Sequence, residues 1–187
     1  LEKNSFSYRI NWIIFYWFNS NFFSRDCMVQ ALIQLLKTKS LSNITITELT
    51  ERAGVSRMTY YRNYHSLDEI FSSYLKDLVE SYRQDVATWP DKGNYNDSRN
   101  MLHCYEYFNH YKEFIACLVQ TGLGHLLLQA LDSYILDTYY TEDKGQDFYY
   151  TLRAFSGSLY NIYVTWILED SKESAEEIVS IICKIYS

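Results

Sequence analysis

The feature that most constrains the fold is the stretch ITITELTERAGVSRMTYYRNYHSLDEIF, which runs from Ile44 to Phe71. Thr45 and Glu48 form a T-x-x-E capping box, in which the hydroxyl and the carboxylate each accept a hydrogen bond from an amide at the helix start. An apolar face of about two turns follows and ends at Gly54, a residue type that adopts a positive φ without steric cost. This pattern predicts a short helix that begins after Thr45 and stops at Gly54.

A second short helix is predicted directly after the glycine. Ser56 can cap it, and Tyr60 and Tyr64 lie one turn apart on the side that faces inward, opposite Met58 and Arg62. An S-x-x-E box then predicts the start of the next helix. Two short helices joined by a glycine turn indicate a helix-turn-helix, whose second member fits the major groove of DNA.

In this stretch the chain resembles the DNA-binding domain of the TetR/AcrR family of bacterial transcription regulators. The resemblance covers residues 24–75, and the last helical segment, from Phe155 to Ile185, is similar to the ending of that family. The residues in register with the family pattern are Thr45, Ala53, Gly54, Val55, Ser56, Thr59, Tyr61, Tyr64, Ser66 and Glu69.

The resemblance implies eight contacts with double-stranded DNA. The residues implied to approach bases are Thr47, Arg57, Met58 and Thr59. The residues implied to lie near phosphates are Thr45, Tyr61, Arg62 and Asn63. Leu67 stands where most relatives have a phosphate-binding lysine. The electrostatic part of DNA binding is therefore expected to be weaker than in those relatives.

The predicted fold is all-α, with about nine helices. Residues 24–70 are predicted to form a three-helix DNA-binding domain, and residues 71–187 a helical ligand-binding and dimerisation domain. A hydrophobic content of 48% and a single proline suit a buried helical core. The loop from Trp89 to Ser98 contains that proline. The helices expected after it lie near 98–109, 112–120, 123–140, 147–169 and 172–185.

The first 23 residues form an atypical aromatic appendage. Their apolar run from Trp12 to Phe18 is too short to span a bilayer, which needs ~20 apolar residues. The segment is either an extra helix, an arm that packs on a partner, or a stretch that does not belong to the native protein. No membrane association is expected.

The charge balance alone does not indicate DNA binding. Residues 85–187 carry seven basic against fifteen acidic side chains, and the helix-turn-helix carries three arginines against four acidic residues. An acidic second domain would repel DNA from the wrong face. The motif, rather than the charge, therefore carries the functional assignment.

Neither a catalytic site nor a cofactor is predicted. The four cysteines are widely spaced, as in thiols of a reducing cytosol, and a cytoplasmic location is expected; a redox-sensing thiol is the alternative. His103, Glu106, His110 and Glu113 share one helical stripe and could hold a metal. Their angular distance from the apolar stripe favours a solvated face, so no metal site is predicted.

The second domain is rich in tyrosine, which supplies both apolar surface and polar tips for a ligand pocket. The candidate pocket residues are His103, Tyr107, Tyr111, Tyr134 and Tyr160. Tyrosine faces and an acidic wall suit a cationic or planar aromatic small molecule, whose identity the sequence does not indicate.

The last two helices each present an apolar face that is a candidate dimer interface. Its residues are Phe155, Leu159, Ile162, Trp166, Ile178 and Ile182. The alternative is that these side chains fill the core of a single chain.

The sequence thus favours a homodimeric, ligand-responsive transcription regulator, a repressor released from a near-palindromic operator by a small-molecule effector. The alternative is an interaction or sensor protein of the same fold with weak or lost DNA binding. No enzyme activity is expected.

Overall fold

The computed structural model describes residues 23–169 and 172–186 of the chain. Over these residues it contains nine α-helices, two 3-10 turns and no strand. The 3-10 turns are Leu41–Asn43 and Glu142–Lys144. The α-helices are α1 (residues 23–36), α2 (Ile46–Ala53), α3 (Arg57–Asn63), α4 (Leu67–Ala87), α5 (Ser98–Asn109), α6 (Lys112–Gln120), α7 (Gly124–Tyr139), α8 (Gly145–Leu168) and α9 (Ala175–Ile185).

The predicted all-α fold is therefore confirmed for the described part of the chain. The aromatic appendage predicted at residues 1–23 lies outside the described residues, apart from Phe23, which is the first residue described and is helical.

The start of α2 is set by the predicted capping box. The amide of Glu48 donates to Thr45 Oγ1 over 3.2 Å, and the amide of Thr45 donates to Glu48 Oε2 over 3.1 Å. Two amides that lack partners within the helix are thereby satisfied. At the other end, Gly54 has a φ of 67°. Both predicted ends of this helix are confirmed.

Thr45→Ala is expected to lower the free energy of unfolding by about 1 kcal/mol, because it removes the side-chain acceptor of the cap. The measurement is the urea midpoint at fixed protein concentration. Thr47→Ala is the matched control, since Thr47 is exposed in the first turn of the same helix. Equal midpoints for the two variants would contradict the assigned role of the cap.

Helix α3 begins at the predicted cap and buries the predicted face. The amide of Thr59 donates to Ser56 Oγ over 3.1 Å. The side chains of Tyr60 and Tyr64 are both buried, and their ring centroids lie 5.9 Å apart. Met58, on the opposite side, is 74% exposed. The predicted division of α3 into an inner and an outer face is confirmed.

The chain divides into two compact units, of which the first ends at Tyr74 and the second begins at Leu75. In the first unit the hydroxyl of Tyr64 accepts from Arg25 Nε, and the hydroxyl of Tyr74 donates to Asp26 Oδ1, both over 3.3 Å. These bonds join α1 to the end of α3 and to α4. The largest fully buried side chains of this unit are Met28, Leu32, Leu49, Tyr60, Ile70 and Phe71.

The second unit contains α5 to α9, and α5 and α6 have the predicted bounds. Helix α9 begins at Ala175 instead of near residue 172, because Ser174 and Glu177 form another complete capping box. The amide of Ser174 donates to Glu177 Oε2 over 2.8 Å. The largest fully buried side chains of this unit are Ile115, Leu118, Leu152, Phe155 and Ile182.

Among the described residues, no single helix is long and apolar enough to cross a membrane. The pair α6 and α7 reaches the required hydropathy only when the two are taken together, across a bend of 119°.

Candidate functional site

The outer face of α3 combines two cations with two large apolar groups. Arg57, Met58, Tyr61 and Arg62 are all exposed, and the spacing of four residues between Arg57 and Tyr61 and between Met58 and Arg62 places them on one side of the helix. The ring of Tyr61 meets buried Tyr60 edge to face at 5.4 Å. This face can therefore offer guanidinium donors beside apolar surface.

Neither Arg57 nor Arg62 has a hydrogen-bond or ion-pair partner among the described residues. A guanidinium presents a planar fork of donors that matches guanine edges and phosphates. Since both groups are exposed and have no partner among the described residues, they can bind a polyanion without breaking a contact that the described fold uses.

The other predicted DNA-binding residues are also in the first unit, but several serve the fold. Thr45 Oγ1 caps α2, while Thr47 is exposed in the first turn of that helix. Thr59 Oγ1 lies 2.9 Å from Ser56 Oγ, and Asn63 Nδ2 donates to the carbonyl of Thr59 over 2.7 Å. The side chains of Thr59 and Asn63 are half-buried, so they are held in fixed positions at the edge of the outer face.

Two other cations of the first unit have hydrogen-bond partners, and one of these partners is a carboxylate. Lys39 Nζ donates to Glu48 Oε1, and Arg52 Nη1 donates to Gln34 Oε1 over 3.1 Å. The bonds from Lys39 and from the amide of Thr45 lower the pKa of Glu48 to about 2. The carboxylate is therefore fully ionised at neutral pH and opposes the charge of Lys39.

The second unit contains a cavity of about 50 Å³. Its aromatic lining consists of Tyr82, Tyr105, Phe108, Tyr134, Tyr160 and Tyr163. The remaining described lining is made of aliphatic side chains and Cys104, with no acidic or basic residue among the described residues. The predicted acidic wall for a cationic ligand is therefore wrong for this cavity.

Burial further disfavours the charged forms of several titratable groups in the cavity lining. It raises the pKa of the Cys104 thiol to about 12, against a smaller lowering effect of the hydrogen bond to Tyr82. Burial likewise raises the pKa values of Tyr82, Tyr105 and Tyr163 above that of a free phenol. At neutral pH the lining thus carries no charge.

Of the five predicted pocket residues, Tyr134 and Tyr160 line the cavity, and His103, Tyr107 and Tyr111 do not. His103 Nε2 instead lies 2.7 Å from Asp85 Oδ2, and its ring packs 4.8 Å from that of Trp89. The hydroxyl of Tyr107 donates to the carbonyl of Leu78 over 3.3 Å.

The residues of α5 that line the cavity are Cys104, Tyr105 and Phe108. Cys104 and Phe108 each follow His103 and Tyr107 by one residue, so they point in a different direction around the helix axis. The sequence signal for this face was the apolar stripe that includes Cys104 and Phe108. The pocket prediction followed polar tips instead and so missed it.

The stripe of His103, Glu106, His110 and Glu113 does not form a cluster of metal ligands. His110 Nδ1 lies 2.7 Å from the backbone carbonyl of Glu106, while Glu106, His110 and Glu113 are exposed. His103 is half-buried among rings instead. No group of three or more ligand-type side chains that could hold a metal occurs within residues 23–169 and 172–186.

The face predicted to form the dimer interface is largely covered within the single chain. Five of its six residues are buried inside a single chain, and Ile162 is half-buried. A side chain covered by its own chain is not available to a partner. The buried residues are Phe155, Leu159, Trp166, Ile178 and Ile182.

Other apolar side chains of α8 and α9 are exposed instead. Ile181 is 47% and Ile185 is 60% exposed, while Tyr150 and Leu168 stand exposed towards the two ends of α8. Between them the exposed or half-buried side of α8 carries the small residues Ala154, Gly157 and Ser158. The hydroxyl of Tyr186, just after α9, donates to the carbonyl of Ala154 over 3.2 Å, which brings the end of α9 beside this part of α8.

Comparison with known proteins identifies regulators of transcription. No family model matches the chain. It is 26% identical over 157 residues to the uncharacterized HTH-type transcriptional regulator YxbF of Bacillus subtilis, which covers 80% of this chain and 41% of that protein. The chain thus spans less than half the length of this curated relative.

Two solved structures share the fold over most of their length. The fatty acid degradation regulator FadR from Bacillus halodurans has a TM-score of 0.59 at 13% identity, with 87% of this chain and 93% of that chain covered. A TetR transcriptional regulator from Rhodococcus sp. RHA1 has a TM-score of 0.54 at 15% identity, with 89% and 96% covered. All three similar proteins are named as regulators, and none as an enzyme.

Proposed function

We propose that this chain, which has the fold of the TetR-family regulators, is a DNA-binding transcription regulator that acts as a homodimer and responds to a small molecule. The observation that carries the proposal is the outer face of α3, a helix held by its cap and by the glycine turn. On this face Arg57 and Arg62 are exposed and have no partner among residues 23–169 and 172–186. A regulator of this kind acts where the chromosome is, in the bacterial cytoplasm.

In the proposed complex α3 lies in the major groove. Arg57, Met58 and Thr59 meet base edges there together with Thr47 of α2, while Thr45, Tyr61, Arg62 and Asn63 lie near the phosphates, as the family resemblance implies. Because Lys39 is paired with Glu48 and Leu67 carries no charge, the phosphate contribution is small and base contacts carry most of the specificity.

The dimer is proposed to form through the exposed sides of α8 and α9. Ile181 and Ile185 lie four residues apart on α9, and the small residues of α8 allow close approach of a partner helix. Two-fold pairing places two recognition helices on the same side of the assembly, so the operator is expected to be near-palindromic.

The effector is proposed to bind in the cavity of the second unit and to release the operator. Val79 and Tyr82 of α4 line the cavity, and α4 begins at Leu67, directly after the helix-turn-helix. A shift of α4 on binding would change the spacing of the two recognition helices. The coupling is reciprocal, so operator DNA weakens effector binding by the same factor.

Arg57→Ala is expected to weaken binding to the operator by about 10- to 100-fold, because a bidentate contact to guanine is worth about 1–3 kcal/mol. The measurement is a gel shift with DNA from upstream of the gene, over a series of salt concentrations. Binding to random DNA should fall far less.

Lys112→Ala is the charge-matched control, since it removes one exposed cation from the second unit. The proposal would be overturned if wild type and Arg57→Ala bound every DNA equally and if salt abolished this binding.

The near-neutral first unit favours one other candidate, a sensor or interaction protein that keeps the fold without binding DNA. Lys39 is neutralised by Glu48, and Leu67 occupies the position of a phosphate-binding lysine in relatives. Under this alternative, wild type fails to retain the upstream DNA even at low salt. Retention that depends on Arg57 excludes it.

A further inference from the structure

The hydroxyl of Tyr163 is an unused hydrogen-bonding group in the cavity lining. Tyr163 is 7% exposed, and its hydroxyl is buried with no hydrogen-bond partner among the described residues. The ring is held edge to face by Tyr105 at 5.3 Å and is tilted against Trp166 at 6.1 Å. Buried hydroxyls are almost always paired, so an unpaired one beside a cavity calls for an acceptor or donor from a ligand.

Three other polar groups of the lining already have partners. The hydroxyl of Tyr105 donates to the carbonyl of Leu159 over 3.2 Å, and Tyr82 is hydrogen-bonded to Cys104. Among the buried hydroxyls of the described lining, that of Tyr163 has no hydrogen-bond partner. A ligand with a single polar atom can satisfy it.

The cavity offers nothing to an ion. Its lining has no acidic or basic residue among the described residues, and burial raises the pKa values of Cys104 and Tyr163, which disfavours their charged forms. Arg83 lies over the ring of Tyr134 at 5.2 Å, but it is outside the lining and its Nη2 is 2.9 Å from Asp137 Oδ2. A charged ligand would lose its hydration here without gaining a counter-charge.

A second cavity of about 30 Å³ adjoins the first and shares five lining residues with it. The shared residues are Tyr82, Cys104, Leu131, Tyr134 and Leu159. A modest movement of these side chains would join the two cavities into one largely apolar chamber, whose second part also includes Asn100, with a buried Oδ1 that has no partner among the described residues.

We propose that this chamber binds an uncharged, mostly apolar molecule whose oxygen acceptor, such as a ketone or ester carbonyl, accepts a hydrogen bond from the hydroxyl of Tyr163. The assignment rests on the proposed regulatory function, for which it names the class of effector.

The test is calorimetric titration of the full chain, without DNA, with three probes of equal length: 2-octanone, octanoate and octylammonium. The ketone is expected to bind at least about tenfold tighter than either ion, since neither ion has a counter-charge in the lining. Tyr163→Phe is expected to weaken ketone binding about fivefold, the size of a typical neutral hydrogen bond. Without a probe, Tyr163→Phe should also melt roughly 2–4 °C higher, because it removes a buried unpaired hydroxyl.

Tyr105→Phe is the matched control. It deletes a hydroxyl from the same lining, but one that is already bonded to Leu159, so the preference for the ketone should persist. Three results each overturn the assignment: an ion that binds as tightly as the ketone, no ketone binding by wild type, or ketone affinity unchanged in Tyr163→Phe.

The titration is independent of the DNA experiment. If the probes do not bind but operator binding still depends on Arg57, the proposed ligand class is wrong and the DNA-binding function stands. If ketone binding depends on Tyr163 but no DNA is retained in the gel shift, the proposed DNA-binding function is wrong and the ligand class stands.

Discussion

Phe155→Ala lowers the free energy of unfolding by about 3–5 kcal/mol, the usual cost of emptying a buried aromatic site. Phe155 is 1% exposed, and its ring meets those of Tyr95 and Tyr186 edge to face, each at 5.0 Å. It therefore joins α8 to the loop before α5 and to the residue after α9. Loss of the ring leaves both neighbours without their packing partner.

The measurement is chemical unfolding followed by circular dichroism at one fixed protein concentration, since dimerisation would contribute to the apparent stability. Tyr150→Ala is the control on the same helix; Tyr150 is 63% exposed, and its loss should cost less than about 0.5 kcal/mol. If Phe155→Ala were about as stable as wild type but dissociated a dimer, Phe155 would be an interface residue and not a core residue.

Replacement of both Ile181 and Ile185 by glutamate is expected to weaken self-association by about a hundredfold or more, roughly 3 kcal/mol. Both side chains are exposed in the single chain, so the substitutions leave its core intact. In the proposed dimer the same positions are buried, and like charges from two chains would meet there. Sedimentation velocity over a range of concentrations should show a monomer where wild type is a dimer.

Met58→Glu makes the same type of change at an apolar side chain that is 74% exposed on α3. It should leave the sedimentation coefficient unchanged. A double variant that still sediments as wild type, or a wild type that is monomeric at all concentrations, would rule out the proposed interface.

Helix boundaries were predictable because they depend on local chemistry. The caps at Thr45 and Ser56 and the glycine at position 54 act through neighbours in sequence, and the structure has each of them as expected. The start of α9 was misplaced although Ser174 and Glu177 repeat the S-x-x-E pattern. The two hydrogen bonds of this capping box fix the start of the helix at Ala175.

The cavity was less predictable, since it depends on how α5 is rotated against its neighbours. A shift of one residue on a helix turns a side chain by about 100°. That rotation replaces His103 and Tyr107 by Cys104 and Phe108 in the lining. Composition indicated an aromatic pocket, but only tertiary packing decides which rings face it.

The prediction of a dimer face failed for a different reason. An apolar period shows that one face of a helix is covered, yet the chain's own core and a partner produce the same period. For Leu159 and Ile182 the cover is intramolecular. The remaining exposed isoleucines of α9 are too few to be recognised as a stripe in sequence.

The small size of the cavity has a consequence for sensitivity to the effector. About 50 Å³ is far below the roughly 300–1,000 Å³ of a site for a drug-sized molecule, so the packed form has no room for an organic ligand. Such a ligand binds only the fraction of molecules in which rings such as Tyr82 and Tyr134 have moved apart. If that fraction is about 1%, the apparent Kd is about a hundredfold weaker than the intrinsic one. The tightness of aromatic packing would then set the effector concentration at which the regulator responds.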